Sequence, residues 1–534
     1  MTALRNAWIH YSHEQLVLDC YDGISFQRKP TEQYGVLCIQ TENVPLTRDP
    51  ILFHFQVDVS GSMSDITSDG RTKMQLIIHT LTNMLHYFAE KCENGYVQVT
   101  GFDDKIHPYI APVRVTSENV NELVAILAKM RPMEFTDIGM AIQQLCKDIE
   151  EDVLNIPRQR HVGILLTDGE PTMGIQNPKD LAALVPTDIS MNFIALGDEH
   201  SGDVMHALGH VSPLSSNWFV DKLEHTGNVY GEIIFNELNR VSEATELRIK
   251  NGRIYDYTCG EFVEHLHIGI LSAETCKFYH ILTDDPNCCE VDITGNSSTG
   301  DHYCWTASDM PPLIPQEDVD KPFSTDDVLF VEKQWVRMHV QILMSNARNI
   351  QLDANPIPRP ILKRMTLGVQ HRVNIPSIFE GNHASTDTDT NNLNRSMQLR
   401  KEIELMTKYL GEFIATHQLG DDPMMNGLRD DLLILEKTFG TGQFIKYAGI
   451  REDSQGRQYT CNTITEIPSD ILPIFGGLNR PCLTRTPTSA YSTPGRVQLM
   501  NSFSQNNTQE DEDKSMGQMD SSASMLELLS QYSR

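Results

Sequence analysis

The stretch FQVDVSGSMSD, residues 55–65, breaks an apolar run with an aspartate and then places two serines at alternate positions: Asp58, Ser60 and Ser62. The preceding ILFHFQV has the composition of a buried strand. An acid followed by two spaced hydroxyls at the end of such a strand points to a cationic neighbour. Two other turns share this character. GILLTDGEPT ends an apolar run at Asp168, and MEFTDIG sets Thr136 and Asp137 just ahead of a helical pattern. In an open α/β sheet, ligands bind beyond the carboxyl ends of the strands. If the strands are parallel, all three loops emerge at one edge and pool two carboxylates, Asp58 and Asp168, with three hydroxyls, Ser60, Ser62 and Thr136.

All five are hard oxygen donors, with no thiol or imidazole among them, which suits Mg²⁺, Mn²⁺ or Ca²⁺ rather than zinc. Mg²⁺ takes about six oxygens in an octahedron. Neutral hydroxyls are weak donors, so some of the five groups would act through water and at least one position would stay open. A carboxylate from a partner could fill it. Asp137 reads as the cap of the helix IGMAIQQL, and Asp65 and Glu170 as solvent-facing acids.

The elements that would position these groups follow from periodicity. Between about 50 and 245, the strand-length runs ILFHFQVD, GYVQVTGF, RHVGILLTD and ISMNFIALG alternate with helical patterns such as RTKMQLIIHTLTNMLHYFAEKC and TDIGMAIQQLCKDIEEDVL. That alternation predicts a mostly parallel sheet with helices on both faces. Asn177-Pro178 is a helix-start signal. From 246 to 350, shorter runs predict an antiparallel β unit, with a hairpin at Asn251-Gly252 and a helix or strand from about 327. The N-terminal 1–47 holds a strand, YGVLCIQTENV, expected to pack on that β unit. Residues 351–395 read as a linker. Residues 396–442 read as a helical hairpin carrying the stripe Leu399, Ile403, Met406, Leu410 and Phe413, which could pair chains. Residues 443–534 are expected to be mostly disordered.

The D-V-S-G-S at 58–62, the Thr136-Asp137 pair and the T-D-G at 167–169 together resemble the metal ion-dependent adhesion site of von Willebrand factor type A domains, which integrin inserted domains share. The resemblance spans about residues 48–245. It implies a Rossmann-like sheet flanked by helices, a divalent ion, and protein binding rather than catalysis. It further implies that Ser60, Ser62 and Thr136 act as direct or near-direct ligands, while Asp58 and Asp168 act mainly through water. Some plant relatives add a zinc-binding ring finger and ligate ubiquitin. The paired CxxC spacing of such a finger is not found here.

Other classes are disfavoured. The 534 residues carry 72 acids against 43 Lys plus Arg, a formal charge of -29, and nucleic-acid binding wants a basic face. No apolar run reaches the roughly 18 residues of a membrane span. MTALRNAWIHYSHEQ lacks a leader-like apolar core, and the 11 cysteines are scattered. Both features predict a reducing, cytoplasmic setting. The five cysteines from Cys259 to Cys304 fit no common zinc spacing. His54 reads as a satisfied core histidine, and His265, His267 and His280 as surface or packed ones. The leading expectation is a metal-dependent protein-interaction module. A scaffold of a ubiquitin-related or other assembly with a structural metal site is one alternative. A Mg²⁺-dependent hydrolase is the other, although the chain lacks a phosphate-cradling G-x-x-x-x-G-K-[ST] loop.

Overall fold

The computed structural model describes residues 4–12, 32–41, 49–67, 70–151, 154–197, 200–220, 226–297, 300–307, 328–354, 386–441, 443–458, 493 and 496–500. Two N-terminal strands, β1 (Leu4–Tyr11) and β2 (Gln33–Thr41), precede the α/β domain. The domain's sheet holds β3 (Ile51–Asp58), β4 (Gly95–Phe102), β5 (Ile106–Arg114), β6 (Arg160–Thr167), β7 (Ser190–Leu196) and β8 (Ser215–Val220), in the order β5-β4-β3-β6-β7-β8. Every pair is parallel except β4 with β5. β3 is buried along its whole length. That is why it reads as a near-continuous apolar run rather than an alternating one.

Helices cover both faces. One face packs α1 (Lys73–Lys91), α2 (Val120–Leu127) and α6 (Thr226–Leu238), through residues such as Ile77, Leu123 and Ile233. The other packs α3 (Ile138–Glu151), α4 (Pro178–Ala182) and α5 (Gly202–Gly209), through Ile142, Leu181 and Leu208. The chain leaves β3 toward one face and β6 toward the other. Their carboxyl ends therefore flank a switch-point crevice.

β1 and β2 join an antiparallel sandwich with β9 (Arg240–Lys250), β10 (Arg253–Asp256), β11 (Glu261–Val263), β12 (His265–Ser272), β13 (Cys276–Thr283), β14 (Glu290–Ser297) and β15 (His302–Ala307). Its sheets run β1-β2-β13-β10-β11 and β12-β9-β14-β15. The expected hairpin at Asn251-Gly252 does not form. Asn251 does take a left-handed turn, with φ 58°, but β9 pairs with β12 and β14 while β10 pairs with β11 and β13. The turn carries the chain from one sheet to the other, because each strand buries its inward face against the opposite sheet.

The stretch 328–350, grouped with the β unit from sequence, is part of a long helix, α7 (Val328–Ala354). Its Trp335, Met338 and Ile342 cover the outer face of the sandwich at Tyr34, Val36 and Phe278. α8 (Thr386–Thr416) and α9 (Pro423–Thr438) complete a bundle with α7. Residues 386–395, expected as linker, are the first turns of α8; adding a turn costs little once the apolar stripe behind it has nucleated the helix. The stripe Leu399, Ile403, Met406, Leu410 and Phe413 is buried in one core with residues of α3, α4 and α5. Pairing between chains through it would require α8 to lift away.

Beyond α9, Ile445–Gly449 form a π-helical turn that runs into α10 (Ile450–Arg457). Residues 496–500 form a helical turn whose Met500 backs onto Gly231 of α6. These two stretches are helical parts of the region expected to be mostly disordered from 443 onward; most of the remaining tail lies outside the described residues. Overall the expected fold class is the one observed: a helix-flanked, mostly parallel sheet followed by a sandwich and helices.

Truncating Leu410 to Ala should destabilise the chain by about 2–5 kcal/mol, as for other fully buried leucines. Leu393→Ala, at a side chain that is 60% exposed, should stay within about 0.5 kcal/mol. Urea-denaturation midpoints of the two variants check this.

Candidate metal and partner-binding site

β3 and β6 are neighbours with Val57 opposite Leu166, so Asp58 and Thr167 end side by side. The Asp58 carboxylate, fully buried, accepts from the Ser60 backbone N–H at 2.8 Å and from the Thr167 hydroxyl at 2.6 Å. The first bond shapes the turn; the second ties it to the next strand. The Ser60 and Ser62 hydroxyls are 3.0 Å apart, and Ser62 Oγ donates to Asp168 Oδ1 at 2.7 Å. Four of the five sequence-nominated groups are thus joined by direct contacts.

The loop that carries Thr136 passes beside Gly61 of the first turn. A Cβ on Gly61 would lie 3.3 Å from the Met133 carbonyl, so a side chain there would press on the 133–136 segment. The Thr136 N–H donates to Thr172 Oγ1 at 3.0 Å, and its carbonyl accepts from the N–H groups of Thr172 and Met173 at 2.9 and 3.1 Å. The loop is therefore pinned to the segment that follows Asp168. Asp137 does cap α3: its Oδ1 accepts from the Met140 N–H at 2.9 Å. Gly174 sits against that carboxylate with φ +63°, where a Cβ would collide with Asp137.

Two features were not found from sequence. The first is Lys73. Thr72 and Gln75 form a capping box, with bonds of 3.1 and 2.8 Å, that fixes the first turn of α1. From there the Lys73 ammonium lies 2.7 Å from Asp168 Oδ2 and 3.2 Å from Asp65 Oδ2. Asp65 is exposed, as its sequence reading had it, but it shares this cation. The capping-box sequence T-x-x-Q marked the helix start, but nothing in it showed that Lys73 would turn back toward Asp168.

The second feature is apolar. Among the described residues, the strongly exposed large apolar side chains are Ile66, Met133, Phe135, Met173, Leu393 and Met397. The first four sit on the loops that carry the oxygen donors. Isolated exposed apolar groups need no explanation, but several gathered at one site mark an interaction surface.

The remaining sequence readings divide. His54 is fully buried and bonds Gln98 at 2.6 Å and His161 at 2.9 Å. His280 is buried between Tyr34 and Gln341. His265 and His267 lie at the surface beside Glu246. The Cys259–Cys304 group does not gather: Cys259, Cys288 and Cys304 are exposed, while Cys289 is buried and Cys276 half-buried.

The electrostatics fit a divalent cation. Asp58 and Asp168 are buried together, and Lys73 supplies one positive charge against their two negative ones. Burial pushes the Asp58 carboxyl up to about 6, the neighbouring Asp168 charge adds to this, and the bonds from Thr167 and Ser60 oppose it. A buried carboxylate pair short of positive charge, surrounded by hydroxyls, is a donor set for a hard ion.

Residues 54–228 match the family model of the von Willebrand factor type A domain. With the sheet order and the loop constellation, the match assigns this fold to the α/β domain. Domains of this family are generally protein-interaction modules, often metal-dependent, and typically not enzymes. Similar solved structures include von Willebrand factor type A from Catenulispora acidiphila, 11% identical with a TM-score of 0.42, covering 65% of this chain and 82% of that one. The ArnB paralog VWA2 from Sulfolobus acidocaldarius is 14% identical with a TM-score of 0.39, covering 82% and 98%. Proximal thread matrix protein 1 from the mussel byssus, with a zinc-occupied MIDAS motif, is 15% identical with a TM-score of 0.29, covering 37% and 47%. No curated protein matches the chain. No helix among the described residues is long and apolar enough to cross a membrane.

Two outcomes are expected. In the ion-free domain Asp58 holds a proton below about pH 6, so cation uptake there must release it. Calorimetric Mg²⁺ affinity should be flat above pH 7 and fall as pH drops through 6. Lys73→Met should tighten Mg²⁺ binding about tenfold, since a charge-assisted bond that competes for Asp168 contributes on the order of 1.5–3 kcal/mol. The same titration, run on wild type and variant at pH 7.5, checks it.

Proposed function

We propose that Asp58, Ser60, Ser62, Thr136 and Asp168 hold a divalent ion of the Mg²⁺, Mn²⁺ or Ca²⁺ kind, and that this edge binds an acidic side chain of a partner protein. The observation that carries the reading is the coincidence of buried Asp58, Ser60, Thr136 and Asp168 and exposed Ile66, Met133, Phe135 and Met173 on the same loops. When bound, the ion supplies an electrophilic position for an incoming carboxylate. The chain's own groups do the rest. Asp58 and Thr167 hold the first turn against β6, Ser60 and Ser62 present their hydroxyls, and Lys73 balances Asp168. The apolar side chains then define the partner: its acid should lie within an apolar segment.

Charge gives this binding a requirement. The chain is strongly acidic, at -29, and two ionised aspartates at the crevice repel an approaching carboxylate. Recognition of an acidic partner there depends on the cation.

Capture of partners from a native extract should therefore lose the same protein under three changes: chelator, Asp58→Ala, and the pair Phe135→Ser with Met173→Ser. The serine pair should leave Mg²⁺ affinity within about threefold, because neither side chain is among the nominated donors. Capture that survives both chelator and Asp58→Ala would instead support a scaffold whose metal site is structural.

A further inference from the structure

A second donor cluster lies at the opposite edge of the α/β sheet. α5 runs back from the site edge toward the start of β8, and His206 in its last turn and His210 at its C-cap stand four residues apart. Asp453 comes to them from α10. The ligating atoms of the three all lie within 4.8 Å of one another.

The hydrogen bonds around them are specific. His210 Nδ1 lies 2.8 Å from the His206 carbonyl. A carbonyl only accepts, so Nδ1 carries the hydrogen, and in the neutral ring Nε2 keeps a lone pair. A ligating histidine fixed through its other nitrogen is the usual arrangement at metal sites. Nε2 lies 2.7 Å from Asp453 Oδ1. Asp453 is 1% exposed, so its carboxylate meets the His210 ring away from water. A carboxylate buried this deeply is stable only where strong donors or a cation meet it. The His206 and His210 rings are 4.0 Å apart, centre to centre.

We propose that His206, His210 and Asp453 form a second metal site, for Zn²⁺ or an ion of its class, which fastens α10 to the α/β domain. Two imidazoles and one carboxylate are a borderline-soft set, unlike the all-oxygen set at Asp58. Metal–ligand bonds of about 2.0 Å place tetrahedral ligand atoms about 3.3 Å apart, within reach of small side-chain rotations from the observed cluster. His206 and His210 also line a cavity of about 600 Å³ between the α/β domain, the sandwich and the helices, which leaves room for water or a small anion as the fourth ligand. Two arginines stand near the site, Arg348 acting on His206 and Arg457 on Asp453. Arg348 is paired with Glu452 at 3.2 Å, and Arg457 donates to the Gly209 and Pro213 carbonyls. The rival arrangement is a plain ion pair, in which His210 is an imidazolium held by Asp453 and His206 plays no part.

The test uses the full chain carrying Asp58→Ala, so that the oxygen site cannot account for the uptake. The protein is stripped with chelator and titrated with Zn²⁺ by calorimetry and with Co²⁺ by visible absorption. We expect one ion per chain, a Co²⁺ spectrum of four-coordinate character, and a rise of several degrees in thermal midpoint on Zn²⁺ addition. Adding His206→Gln should weaken Zn²⁺ by at least about a hundredfold, the upper end of what losing even an outer-sphere partner costs, with an unchanged circular dichroism spectrum. Asp453→Asn should do the same; if that variant does not fold, His206→Gln alone decides. Absence of Zn²⁺ uptake in the Asp58→Ala chain, or uptake that His206→Gln leaves undiminished, overturns the proposal in favour of the ion pair.

Discussion

The constraint on which the α/β domain turns is a carboxylate buried at the carboxyl end of a central parallel strand. Asp58 is fully buried, and removing its charge from water is expensive unless donors and positive charge are supplied. The chain supplies donors locally: the Ser60 N–H from its own turn and the Thr167 hydroxyl from the neighbouring strand. The second bond requires β3 and β6 to be adjacent, parallel and in this register. The same register brings Asp168 to Ser62. Once those contacts form, the shape of the crevice is set by the sheet, and the loops have little freedom left.

Positive charge is the part the domain supplies incompletely. Lys73 reaches Asp168 from the first turn of α1, which spares the cluster part of its repulsion and also places a built-in competitor beside any entering cation. The Ser60 and Ser62 hydroxyls meanwhile bond each other, and Ser62 bonds Asp168, so the donors of the proposed ion are gathered without it. Less reorganisation is then needed on binding, the general advantage of a preorganised shell.

Among the described residues, the rest of the chain packs away from this edge. The sandwich, the α7–α9 bundle and α10 bury their apolar faces against one another and against the α3–α5 side of the domain. The exposed apolar side chains that remain are concentrated on the site loops, with Leu393 and Met397 of α8 as the others among the described residues. At the opposite edge, where α10 returns to α5, imidazoles replace hydroxyls. The two ends of one sheet thus present donor sets of different hardness.

What the sequence determined by itself is the part written in local pattern. The continuous apolar run of β3, the helical spacing of α1 and α3, and the spacing of acids and hydroxyls at 58–62, 136–137 and 167–169 disclosed the fold class, and they brought Asp58, Ser60, Ser62 and Asp168 to attention before any geometry was known. Each signal spans a few residues and rests on side-chain period or turn chemistry. The tertiary structure decided the rest. Asn251-Gly252 signals a turn, but only sandwich packing sends β9 and β10 to different sheets. The stripe on α8 signals burial, but only the bundle shows against what. Lys73 belongs to the site because a helix cap aims it there, and His206 and His210 meet Asp453 because α10 folds back across α5. Those pairings join residues far apart in the chain, and their energy depends on distance and desolvation, which no local pattern of residue types encodes.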